Sequence, residues 1–81
     1  MDSRELYKQS GRIPATKTKK ELQKLRKTAA AAIAAGGVGN GGPVACWFKD
    51  PDGSDQCVGY PDSDSCTAAG GVPVAGNCPD D

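Results

Sequence analysis

Along residues 18–35 the apolar positions Leu22, Leu25, Ala29 and Ile33, with Ala32 beside the last, recur every three or four residues. That is the spacing of one helix face. Thr18 followed three positions later by Glu21 forms a capping-box pair. The alanines have the best intrinsic helix propensity, and Gly36 and Gly37 are natural terminators. One Ala-rich helix is therefore predicted over 18–35. Before it, residues 1–17 contain Gly11 and Pro14 and show no clear period, which predicts a flexible, extended basic arm. After it, the stretch "GGVGNGGP" at 36–43 reads as a glycine-rich linker. Beyond the linker the pattern shortens. "VACWF" and "CVGY" suit short strands, each with one cysteine and one or more aromatics, and "GGVPVAGNC" suits an extended return closed by Cys78.

Composition sharpens this division. A chain of 81 residues with one Trp, one Phe, two Tyr and one Met has little from which to build a core, and chains of this size bury only about 60 % of their unfolded surface. Covalent links or partners must supply the rest. Trp47, Phe48, Tyr60, Val44, Val58 and Val74 are the candidates for a small core. The longest apolar run, Ala29 to Ala35, has seven residues, too few for a membrane-spanning helix, which needs about 20. No internal repeat is present.

Net charge is zero, yet residues 1–37 hold nine basic and three acidic side chains while residues 38–81 hold one basic and seven acidic. The halves carry +6 and −6. All four cysteines lie in the acidic half. In the predicted helix Lys19, Lys20, Lys24, Arg26 and Lys27 occupy the first part and alanine nearly all of the second, a gradient along the axis rather than around it.

That gradient resembles a secretory signal: a basic stretch at Lys17 to Lys27, an apolar one at Ala29 to Ala35, and the small-residue triplet Ala32-Ile33-Ala34. "TKKELQK", Thr18 to Lys24, also resembles the twin-arginine export motif, with Lys19 and Lys20 where that motif has its arginines and Leu22 and Gln23 where it has Phe and Leu. The resemblance implies an exported small cysteine-rich protein. On the competing reading the helix is retained, and its basic residues lie against an acidic partner or nucleic acid. Tyr7 is the only aromatic in the first half, which argues against base stacking and hence against nucleic acid.

Cys46, Cys57, Cys66 and Cys78 are separated by ten, eight and eleven residues. An even number of cysteines in a short Gly/Pro-rich segment indicates a disulfide framework, with three connectivities open. Each bridge contributes about 2–4 kcal/mol. Zinc sites instead use closely paired cysteines, and histidine is absent, which removes the usual general base and nucleophile activator. No catalytic set can be assembled, no cofactor is expected, and the chain is read as a non-enzyme.

Two acidic stretches remain, "DPDGSD" at 50–55 and "PDSD" at 61–64. Asp50, Asp52, Asp55, Asp62 and Asp64 are candidate ligands for a hard cation such as calcium, and the first stretch resembles a fragment of the Asp-rich repeats of thrombospondin-type calcium domains. The preferred reading is turn chemistry, for which Asp-Pro-Asp-Gly is a strong signal. Trp47, Phe48 and Tyr60 have two roles open to them, covering the disulfides or anchoring a partner.

The fold class expected is thus a small disulfide-rich module with short strands and turns over 44–81, preceded by an extended basic arm and one Ala-rich α-helix. The function expected is that of an exported, non-enzymatic binding protein or processed peptide effector, with Gly36-Gly37 as a junction suited to leader removal and a protein or cell-surface target. The alternative is a small accessory subunit of a larger assembly, its basic arm retained and threaded along a partner.

Overall fold

The structure, a computed structural model, describes residues 3–36 and 43–78. Most of the linker expected at 36–43 therefore lies outside the described residues. The elements are α1 (Ser3–Ser10), α2 (Lys19–Ala34), β1 (Val44–Lys49), β2 (Asp55–Tyr60), α3 (Ser63–Ala68) and β3 (Val72–Ala75). The strands form one antiparallel sheet in the order β2-β1-β3. Its registers pair Val44 with Tyr60, Cys46 with Val58 and Trp47 with Cys57 on one side, and Trp47 with Val72 and Ala45 with Val74 on the other. Pro73 has no N–H to give a further neighbour, and it sits where a strand proline is tolerated, on an edge.

Alternation along β1 assigns the two faces of the sheet. Cys46 and Phe48 join Val58, Tyr60, Cys66, Leu22 and Ala29 in one cluster, with Leu25, Val44 and Ala69 at its margin. Ala45 and Trp47 join Tyr7 and Val72 in the other, with Cys57, Val74 and Cys78 at its margin. Helix α2 packs on β2, α3 lies against all three strands, and α1 packs on β3. The sheet is thus covered on both faces, α2 and α3 on one and α1 on the other. This explains why four consecutive residues of β1, Ala45 to Phe48, are buried, as expected of a strand with a core on each side.

Each face holds one cystine. Cys46 bonds Cys66 of α3, and Cys57 bonds Cys78 just after β3, with Cα separations of 5.6 and 5.7 Å. The approach of α3 to the sheet requires a glycine at 71, because a Cβ there would collide with the Cys46 sulfur and lie 2.9 Å from Phe48 Cζ.

An extended arm is expected over 1–17; residues Ser3–Ser10 instead form a helix, with Ser3 and Tyr7 buried. The physical reason is on the sheet. The Tyr7 ring stacks on Trp47 at 5.1 Å between centroids and 9° between planes, the Arg4 guanidinium lies 5.5 Å from the centre of the same indole, and the Ser3 hydroxyl donates to the Asn77 carbonyl at 2.8 Å. The connection to α2 is also tied down. Ala15 N–H donates to Gly70 O, Lys49 N–H to Ala15 O, and Lys17 N–H to Lys49 O, so residues 15–17 run alongside the end of β1 where β3 has stopped. The N-terminal half wraps the sheet, passing from one face to the other at its edge.

Helix α2 begins at the capping box: Glu21 N–H donates to Thr18 Oγ1 at 3.2 Å and Thr18 N–H to Glu21 Oε1 at 3.4 Å. Its inward side carries Leu22, of which 1 % is exposed, and Ala29. Helix α3 falls where only a turn is expected, and Asp62 caps it by accepting from Ser65 N–H at 2.7 Å.

Candidate binding surface

The geometry of α2 sorts its cations. Leu22 and Ala29 point at the sheet, so Lys20, Lys24 and Lys27, at positions i, i+4 and i+7, line the opposite side. All three are exposed, as are Lys19 and Arg26. Arg26 lies nearer the sheet and reaches Gln56 Oε1 at 3.4 Å and the Cys57 carbonyl at 3.5 Å, which places a charge on the otherwise open edge of β2. Lys19 acts on Asp50 through its charge. Beside the capping box an open hollow of about 500 Å³ is lined by Thr18, Lys20, Glu21 and Lys24. The arrangement offers a row of ammonium groups on the side of α2 that faces away from the sheet.

The five candidate cation ligands are dispersed. Asp50, at 4 % exposure, organises the β1–β2 turn: its Oδ1 accepts from Asp52 N–H at 2.9 Å and Ser54 N–H at 3.0 Å, and its Oδ2 from Gln56 Nε2 at 3.1 Å. Burial pushes this carboxyl up, but the hydrogen bonds from Ser54, Gln56 and Asp52 and the charge of Lys19 outweigh it and hold the group below the ordinary carboxylate range. Gly53, at φ 87°, completes the turn. Asp55 accepts from Lys49 Nζ and from the Tyr7 hydroxyl, both at 3.1 Å. The Asp62 carboxyl is held low by its hydrogen bonds from Ser65. Asp52 and Asp64 are exposed. Among the described residues no three metal-binding side chains converge; Asp50 serves a turn, Asp62 a helix cap and Asp55 an ion pair.

The three aromatics offered as partner anchors are not on the surface. Trp47 and Phe48 have no exposed area and Tyr60 only 7 %; Phe48 and Tyr60 meet at 6.3 Å between centroids. A core this poor in large side chains keeps all four aromatics inside. Trp47 Nε1 is buried with no hydrogen-bond partner among the described residues, an exception to the usual pairing of a buried indole N–H. Tyr7 and Arg4, which cover this indole, were not marked in the sequence: of Ser3, Leu6, Tyr7 and Ser10, the positions at helical intervals, two are serines, which leaves no clear hydrophobic period.

Compared with protein-family models, curated proteins and solved structures, the chain matches none.

Proposed function

We propose that this protein is an exported, non-enzymatic, cystine-stabilised binding protein that works with α1 and α2 in place and presents the outer side of α2 to an anionic target at a cell surface. The observation that carries the reading is the position of Leu22, which is fully enclosed in the same cluster as Cys46, Phe48, Val58 and Cys66. A peptide effector released at Gly36-Gly37 would lose Leu22 from one face and Tyr7 from the other, and so leave both cores open. Disulfides persist chiefly in oxidising compartments, which supports export. The contacts of Tyr7 and of residues 15–17 with the chain's own sheet favour this reading over an accessory subunit whose arm is threaded along a partner.

The test is the intact mass of the protein from its native source, before and after reduction and alkylation. The expected result is a chain that includes residues 3–36 and is lighter before reduction by the four hydrogens that two disulfides remove. A mass corresponding to residues after Gly37 alone would overturn the retained-helix reading. Four free thiols would overturn export.

A further inference from the structure

Ile13 is 86 % exposed, the one large hydrophobic side chain left in solvent among the described residues. Single exposed apolar residues are ordinary, but this one is held out by structure on both sides. On one side Arg12 N–H donates to Ser10 Oγ, which itself donates to the carbonyl of buried Tyr7 at 2.6 Å. On the other, Pro14 is buried and Ala15 N–H is bound to Gly70 O. Ile13 therefore stands at the tip of a pinned loop where α1 ends and α2 begins. From residue 8 to residue 20 the chain carries Lys8, Arg12, Lys17, Lys19 and Lys20 and no carboxylate. The first acid after them, Glu21, is engaged by Thr18.

We infer that this end of the molecule docks on an anionic lipid bilayer, with Ile13 entering the headgroup layer and Lys8, Arg12, Lys17 and Lys20 facing the lipid phosphates. An exposed apolar side chain on a segment whose only charges are cations matches both layers of such a surface, hydrocarbon below and negative charge above. Nucleic acid fits less well. All four aromatic residues of the chain are enclosed, so none is available for base stacking, and Ile13 would have no counterpart there. The inference rests on the retained-helix reading, since it needs both helices to frame the loop.

Flotation of the full chain with phosphatidylglycerol–phosphatidylcholine vesicles, against pure phosphatidylcholine, tests it. Binding is expected only to the anionic vesicles and should fall steeply with salt. Ile13→Ser should weaken partitioning about tenfold, the effect of withdrawing much of one aliphatic side chain from an apolar layer, and Ile13→Leu should keep it. Arg12→Gln and Lys20→Gln should each cost about fivefold, the contribution of one cation at an anionic leaflet. These positions are exposed, so the variants should retain the wild-type circular dichroism and both disulfides.

No binding at low salt would overturn the inference. So would binding that Ile13→Ser leaves unchanged, or binding abolished by soluble glycerol phosphate, since charge alone would then explain it. Preference for a nucleic-acid oligomer over vesicles would overturn it as well. Should vesicles fail while the native mass shows residues 3–36 and two disulfides, the lipid target falls and the binding-protein reading stands.

Discussion

At the scale of the residue, Tyr7 joins the two halves of the chain. Its ring lies on Trp47 and its hydroxyl donates to Asp55, which also accepts from Lys49. Burial first, then the hydrogen bond to Asp55 and the negative charge of Asp55, push the Tyr7 hydroxyl up to about 12. A phenol whose folded value is raised contributes stability in full below its unfolded value, near 10, and loses it as pH rises through the folded value. The melting temperature should therefore decline between about pH 10 and about pH 12, and this decline should be smaller in Tyr7→Phe, which has no proton to lose. The phenolate absorbance difference between wild type and Tyr7→Phe isolates Tyr7 from Tyr60, whose hydroxyl burial also raises. Titration of Tyr7 at the ordinary tyrosine value would mean that α1 is not docked. Nothing in the local sequence of Tyr7 reveals this role. The residue gains its value from Trp47, forty positions away, and pairings at that range leave no periodic trace.

Among the elements, α2 was the most legible, because cap, period and terminator all agree locally. Helix α1 was not, since two of the four positions on its inward spacing are serines and Gly11 and Pro14 follow closely. Helix α3 was hidden for another reason: over six residues only Cys66 is buried, so no hydrophobic period exists to be read. The candidate surface divides the same way. The lysines of α2 could be placed outside by their spacing from Leu22, whereas the aromatics could not be assigned to core or surface until both faces of β1 were seen to be covered. The element-scale prediction concerns Leu22. A signal-like segment packed against nothing would tolerate Leu22→Ala with no loss of stability in the cystine module. A fully enclosed leucine should cost about 3 kcal/mol when truncated to alanine, a large fraction of the stability of so small a domain. Denaturant unfolding of the oxidised protein, followed through Trp47, measures the difference. A change below about 0.5 kcal/mol, the ordinary range for surface substitutions, would show that α2 is not part of the fold.

For the whole molecule, the central question is how two cores separated by one sheet share their stability. The two cystines close loops of nearly equal length, with sequence separations of 20 and 21. By chain entropy each should contribute about 3 kcal/mol, with a negligible difference between them. Access distinguishes them. Cys46 and Cys66 have no exposed area and lie beneath α2 and α3, while Cys57 and Cys78 are half-buried at the margin of the α1 face. Thiolate attack needs a path to sulfur, so limited reductant should open Cys57–Cys78 first. Its loss frees the segment after β3, whose Asn77 carbonyl receives the Ser3 hydroxyl, and α1 should loosen with it. An isolated helix of eight residues is too short to persist in water, so α1 would unfold rather than drift as a unit. The chain's single tryptophan lies under α1 and should report the event as red-shifted emission and easier acrylamide quenching. The Cys46–Cys66 face, sealed by Leu22, should keep its far-ultraviolet helical signal from α2. Alkylation followed by peptide mass mapping decides the order. Labelling of Cys57 and Cys78 ahead of Cys46 and Cys66 is the expected outcome. Simultaneous labelling of all four would mean that the two faces open as one cooperative unit and that the sheet transmits the loss of either cystine to both.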